Sequence, residues 1–264
     1  MAPFKFRAGR TPLLVSMPHT GTHVPEPLLG RMTEHAKLLP DTDWHLERLY
    51  DFLDELGASV LVATHSRYVV DLNRPPDNAN LYPGQDTTRL VPLDTFHRQP
   101  LYRPGQEPDT AEIAERVQTH WKPYHSQLSR ELESLKKQHG YALLWDAHSI
   151  FSEVPRFFSG KLPSLNLGTA DGRSCGSGIG EGLMQKVSGY GAVLNGRFKG
   201  GYITRTYGDP AKGTHAVQLE LSEATYLNEL HPFEFREDLA VRLRPQLRAL
   251  VEEFCRLGHG RRTG

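Results

Sequence analysis

Residues 11–21 read TPLLVSMPHTG: an apolar run from Thr11 to Met17, stopped abruptly by Pro18-His19-Thr20-Gly21. The run has the length and character of a buried strand, and its Pro and Gly force a turn where it ends. Downstream, Asp41 or Thr42 can cap a helix in which Trp44, Leu46, Leu49, Tyr50, Leu53 and Leu56 recur at helical spacing, with Gly57 placed to stop it. Ala58 to Ala63 is a second β-rich apolar run, and Tyr68 to Leu72 a third, shorter one. Strand, loop, helix and strand in that order mark an α/β unit.

The remaining chain extends the pattern. Residues 73–108 hold many Pro, Asp, Asn and Gly residues with little periodicity. They read as long ordered loops around a site, with Leu90 to Phe96 as a short element. A helix is predicted from about Pro108 to His139, kinked or divided at Pro123 and closed by Gly140. Tyr141 to Trp145 is another buried strand, running into Asp146-Ala147-His148-Ser149. Leu165 to Gly168 and Val193 to Asn195 read as short strands, and Gly176 to Val187 as a small helix beginning near Ser177. Gly200, Gly201 and Gly208 bracket a tightly turned or flexible segment carrying Arg205. A strand from His215 to Leu221 ends near Glu220, and a last helix runs from Pro232 to about Leu257. No repeat, low-complexity block or linker divides the chain. The expectation is one α/β domain over residues 1–264, with a mixed, mostly parallel central sheet flanked by helices.

Composition narrows the function. The 264 residues are 38% hydrophobic, enough for a substantial core, and 31 basic residues balance 31 acidic ones. That balance argues against a strongly cationic nucleic-acid binder and against an acidic tail. Two cysteines, Cys175 and Cys255, cannot build a disulfide framework or a cysteine-rich metal site. No apolar run approaches the roughly 18 residues of a membrane span, and the first residues lack the long apolar stretch of a signal peptide. The expectation is a soluble, cytoplasmic protein with neither nucleic acid nor membrane as partner, a monomer or a small homo-oligomer.

Polar residues collect where the apolar strands end, which is where open α/β sheets place ligands. His19 follows the first strand, His148 follows the Trp145 strand, Asp43 lies at the start of a predicted helix, and Glu220 closes Gln218-Leu219-Glu220. Two histidines and a carboxylate suffice as protein ligands for a catalytic zinc. The same donors also suit Fe, Co, Mn or Ni. Glu220 is the candidate general base, and a strand-end ion pair is its plainer alternative. Arg74, in Asn73-Arg74, has the planar fork that matches a carboxylate, and Arg67 and Arg205 occupy similar strand-adjacent positions. Arg67 could instead steady a developing oxyanion, with Asp71 orienting Arg74. Phe157, Phe158 and Tyr202 could line a pocket or fill core. The glycine-rich stretch from Gly176 to Gly182 lacks the Walker lysine-serine ending, and Ser149 lacks the surroundings of a nucleophile elbow.

Taken in order, Ser16-Met17-Pro18-His19-Thr20-Gly21, Thr42-Asp43-Trp44, Asp71-Leu72-Asn73-Arg74, Asp146-Ala147-His148-Ser149 and Gln218-Leu219-Glu220 resemble the N-formylglutamate amidohydrolase family. The resemblance covers roughly residues 10–255. It implies a zinc-carboxypeptidase-like (phosphorylase/hydrolase-like) fold, related also to succinylglutamate desuccinylase and aspartoacylase. It implies metal-dependent hydrolysis of N-formyl-L-glutamate to formate and L-glutamate, the last step of a histidine degradation route. Carried over to this chain, His19 and His148 match the two histidine ligands of one divalent metal, zinc in the first instance. Thr22 stands where zinc carboxypeptidases carry their acidic ligand, so Asp43 is the expected substitute and Asp41 its rival. Glu220 matches the catalytic glutamate, Arg67 resembles the oxyanion arginine, and Asn73-Arg74 the pair that grips a substrate α-carboxylate. Arg205 is the inferred reader of the second carboxylate of a small dicarboxylate substrate. Two other readings are a related acyl-amino-acid amidohydrolase with a different acyl group or amino acid, and a non-catalytic binding protein on the same scaffold.

Overall fold

Alternate residues of the central strands face two different cores, and that period of two sets the layers. The computed structural model describes residues 1–259. Its strands are β1 (Phe4–Arg7), β2 (Leu13–Met17), β3 (Ser59–Ala63), β4 (Ala142–Ile150), β5 (Leu165–Gly168), β6 (Ala192–Leu194) and β7 (Thr214–Ser222), in one sheet of order β1-β3-β2-β4-β7-β5-β6. The pairs β2–β3, β2–β4, β4–β7 and β5–β6 are parallel, while β1–β3 and β5–β7 are antiparallel. The sheet is therefore mixed and mostly parallel, as expected.

The helices are α1 (Glu26–Leu29), α2 (Leu46–Leu49), α3 (Thr110–Arg116), α4 (Lys122–His139), α5 (Ile179–Lys186), α6 (Tyr202–Tyr207) and α7 (Glu237–His259). Leu13, Val15, Met17, Leu143, Trp145 and Ala147 point to one face, where Leu247, Leu250 and Phe254 of α7, Leu183 of α5 and Leu46 of α2 cover them. Leu14, Ala142, Leu144 and Ala216 point to the other, under Tyr124, Leu128, Leu132 and Leu135 of α4 and Ile203 of α6. All nine residues of β4 and of β7 are buried, because helices cover both faces. A satellite cluster joins Leu28 of α1 to Met32, Tyr68 and Leu101. Among the described residues, no helix is long and apolar enough to cross a membrane.

Several expected elements differ. The helix predicted from Asp41 shrinks to α2 and a following 3-10 turn, Asp51–Leu53. The Asp43 N–H is donated back to His19 O at 3.1 Å and His45 has φ 62°, so no helix can start before Leu46. Tyr68 to Leu72 is a turn, with Val69 N–H donating to Ser66 O, and Leu90 to Phe96 is irregular. Between α3 and α4 runs a π-helical turn, Val117–Trp121, which brings Pro123 into the first turn of α4. The wider turn takes up the hydrogen bond and the space that the proline ring denies an α-helix, so the long helix is bulged there and not broken. Gly200 to Gly208 encloses the helix α6, and α7 starts at Glu237, later than Pro232. β1 was not anticipated. Its four residues put Phe4 and Phe6 against the α4-side core and the more exposed Lys5 and Arg7 on the alternate positions, too short a pattern to stand out.

Candidate active site

The chain leaves β2 for β3 on one side and takes up β4 on the other, so the crevice between the carboxyl ends of β2 and β4 is a switch point of the sheet. His19 lies two residues beyond β2, and His148 near the end of β4. Asp43 arrives from the far side through its backbone bond to His19. Its Oδ2 lies 3.1 Å from His148 Nδ1 and 3.7 Å from His19 Nδ1. The other ring nitrogens have partners of their own. His19 Nε2 is 2.8 Å from Asp71 Oδ1, and His148 Nε2 is 3.1 Å from Asp146 Oδ2 and 3.0 Å from Asn73 Nδ2.

One ligand atom from each of His19, Asp43 and His148 lies within 4.8 Å of the others, and all three residues are buried. Asp43 Oδ1 is buried with no hydrogen-bond partner. Burial alone would raise the Asp43 carboxyl, but the adjacent imidazoles of His19 and His148 outweigh it and hold it well below the usual carboxylate range. A carboxylate oxygen with no hydrogen bond, only an Arg67 Nη at 3.9 Å, beside two imidazoles anchored from behind by carboxylates, fits a divalent cation. Asp41 stands outside this group. Its Oδ2 accepts the Phe96 N–H at 2.9 Å, and burial pushes its carboxyl up to about 7 against the pull of Arg67.

Glu220 is placed by register. In the parallel β4–β7 pair it is the partner of His148, as Gln218 is of Asp146. Gln218 Nε2 donates to Glu220 Oε2 at 3.2 Å, and Gln218 Oε1 accepts the Gly201 N–H at 2.8 Å. Burial pushes the Glu220 carboxyl up to about 8, with nearby His148 opposing. A carboxyl so poised can take and return a proton near neutrality.

The cavity over these residues is lined by His19, His148, Gln218 and Glu220 from the sheet, and by Arg67, Asn73, Arg74, Tyr82, Phe96, Phe157 and Arg197 from loops. Arg67 donates from an Nη to Asp71 Oδ2 at 2.6 Å, with its guanidinium carbon 4.7 Å from the Phe96 ring centroid. Asn73 accepts the Ile203 N–H on Oδ1 at 2.8 Å while its Nδ2 faces His148, so its side chain builds the site as much as it lines it. Arg74 donates to Thr88 O, Thr88 Oγ1 and Asn73 O.

The profile of the N-formylglutamate amidohydrolase family matches residues 11–227. The chain belongs to that family. It is 50% identical over 256 residues to an N-formylglutamate deformylase of Pseudomonas putida, covering 96% of each chain. It is likewise 50% identical over 259 residues to one from Pseudomonas aeruginosa, covering 97% of each. In fold it resembles the crystal structure of an N-formylglutamate amidohydrolase from Ralstonia eutropha JMP134, with TM-score 0.81 and 24% identity over 98% of this chain and 97% of that one. A gene product of Agrobacterium tumefaciens has a similar fold, with TM-score 0.68 and 18% identity over 96% of each.

Within this family member the structure gathers most, though not all, of the expected residues. His19, Asp43, His148, Glu220, Arg67, Asn73 and Arg74 converge. Arg205 does not line the cavity. The turn expected there is the helix α6, which leaves Arg205 donating to Gly200 O at 2.7 Å with its guanidinium carbon 4.9 Å from the Tyr82 ring centroid. Asp71, expected to orient Arg74, instead bonds His19 and Arg67. Phe157 lines the cavity, while Tyr202 packs against the α4-side core. Arg197, Gln218 and Tyr82 went unassigned in the sequence. The one signal for Arg197 was a cation in a glycine-bounded loop just past a short strand.

Proposed function

We propose that the chain hydrolyses the formamide bond of N-formyl-L-glutamate to formate and L-glutamate, with one divalent cation, zinc in the first instance, held by His19, Asp43 and His148. The observation that carries this reading is the parallel register that sets Glu220 beside His148 in a cavity that His19 also lines. The 50% identity to two N-formylglutamate deformylases over nearly the full chain supports the substrate.

A cation in this group would act as a Lewis acid on the formyl oxygen and lower the pKa of a water. Glu220 takes the proton as the water oxygen adds to the formyl carbon. It returns that proton to the amide nitrogen as the C–N bond breaks, so glutamate leaves as a neutral amine. Arg67, fixed by Asp71 and Phe96, turns its charge to the oxygen that becomes anionic. Arg74 takes the substrate α-carboxylate, since its donors meet only backbone and hydroxyl oxygens and, among the described residues, no ion-pair partner.

The test is formate release from N-formyl-L-glutamate by protein of measured metal content, before and after chelation and after zinc is restored. N-formyl-L-aspartate and N-succinyl-L-glutamate serve as comparison substrates. Rapid, chelator-sensitive turnover of the first alone is expected. Metal-replete protein that releases no formate would overturn the substrate, and full activity with no bound metal would overturn the cation.

A further inference from the structure

Arg197 sits on the loop between β6 and α6 and lines the cavity. Its Nε donates to Phe157 O at 2.7 Å and an Nη to Asp86 O at 3.1 Å. Its guanidinium carbon lies 5.4 Å from the Tyr82 ring centroid, 5.5 Å from that of Phe157 and 5.4 Å from that of Phe198. Three rings and two carbonyls thus hold the fork in one orientation, and rings also offer a cation a favourable face.

What this arginine lacks is a carboxylate at ion-pair distance among the described residues, since Glu220 and Asp86 act on its charge only from farther off. The other guanidiniums nearby are neutralised: Arg67 by Asp71, and Arg156 by Asp94 at 2.8 Å and Asp86 at 3.2 Å. Arg197 and Arg74 alone among these form no ion pair with a described residue. Burial lowers the pKa of both, and Arg74 lowers that of Arg197 further, so the two charges feel one another across the cavity. Two like charges taken from water into one small space are unfavourable until anions join them. Arg74 follows Asn73, whose amide lies 3.0 Å from His148, whereas Arg197 is held by the carbonyls of Phe157 and Asp86 on two other loops.

We propose that Arg197 reads the side-chain carboxylate of the substrate while Arg74 holds the α-carboxylate, making Arg197 the residue that selects a diacid. The inference rests on the N-formylglutamate hydrolase reading. A cavity with two guanidiniums that have no ion-pair partner among the described residues is complementary to a dianion, and a substrate with one carboxylate leaves one of them unmatched.

The experiment compares kcat/KM for N-formyl-L-glutamate and N-formyl-L-glutamine in the native protein, Arg197→Gln and Arg197→Lys, with a thermal melt of each. Glutamine keeps the length and α-carboxylate of glutamate but not the second charge. Arg197→Gln should lose about 10- to 100-fold on the glutamate substrate, mainly through KM, and change little on the glutamine one. Arg197→Lys, which keeps the charge but not the fork, should fall between and serves if the Gln variant does not fold. Parallel losses on both substrates, or undiminished activity on glutamate, would overturn the assignment. Failure of the native protein to release formate from either would instead overturn the hydrolase reading beneath it.

Discussion

Gln218 donates from Nε2 to Glu220 Oε2 at 3.2 Å, two residues along one strand and on one face of it. The same side chain accepts the Gly201 N–H, so the loop before α6 and the candidate base are tied through one amide. An N–H held on one carboxylate oxygen leaves the other free to meet the water. Gln218→Leu would remove that guide and strand the buried Gly201 N–H. A hydrogen bond to a charged group is worth about 1.5–3 kcal/mol, so kcat should fall roughly 10- to 100-fold with KM and metal content nearly unchanged. Steady-state kinetics with metal analysis on the same sample checks this, and a loss confined to KM would deny Gln218 the positioning role.

Asp71 has three partners on the site, His19 Nε2 at 2.8 Å, an Arg67 Nη at 2.6 Å and the Asn73 N–H at 2.8 Å. Burial works against its charge, yet Arg67, His19 and Arg74 hold its carboxyl well below the usual range. As an anion behind His19 it keeps the proton on Nε2 and leaves the Nδ1 lone pair, on the Asp43 side of the ring, free to ligate a cation. Asp71→Asn should therefore weaken zinc binding by about 10- to 100-fold. Titration against a competing chelator reads this without any assay of activity. Unchanged affinity would mean that His19 is oriented by something else.

The parts of the site that were legible in the sequence are those the sheet positions. His19, His148 and Glu220 each follow or close an apolar strand, and an open α/β sheet delivers such residues to one edge whatever its loops do. Asp43 was visible as a polar residue at a predicted helix start, although that helix fails because Asp43 is bonded to His19 instead. The loops were not legible in this way. Arg197 reaches the cavity only because Phe157, Asp86 and Tyr82, from two other long loops, meet it there. Arg205 was the arginine singled out in the sequence, and the helix between its bracketing glycines leaves it on Gly200 O and the Tyr82 ring instead.

Gly201 offers a test of how tightly this loop fits. A Cβ at this position would fall 2.3 Å from Asn73 Nδ2 and 2.6 Å from its Cγ. Asn73 cannot retreat without releasing the Ile203 N–H or moving from His148. Gly201→Ala should cost about 1–3 kcal/mol of stability, the usual range for an overpacked interior. It should also lower turnover of every substrate alike, because Asn73 would push on His148. Urea unfolding and a substrate panel measure the two effects, and a variant as stable and as active as the native protein would show that Asn73 can give way.

His125 links stability to pH away from the reacting groups. Its ring stacks on Trp121 at a centroid distance of 3.7 Å, its Nε2 lies 2.9 Å from Leu72 O and its Nδ1 2.9 Å from Tyr207 Oη. Since a carbonyl can only accept, Nε2 carries the proton and Nδ1 accepts from the tyrosine. Burial pushes the imidazole down to about 4, with the Leu72 carbonyl and the Asp146 charge opposing. In the unfolded chain it titrates near 6.5. Between those values the unfolded state binds more protons than the folded one, so stability is fully present above about pH 6.5 and declines as pH falls toward 4. The full decline attributable to this group is about 3 kcal/mol. His125→Gln, with no titrating ring, should be less stable at pH 7.5 yet lose less between pH 6.5 and 4.5, so the gap between the two proteins narrows as pH falls. Urea unfolding of both across that window decides it, since an unchanged gap would place the pH dependence elsewhere in the fold.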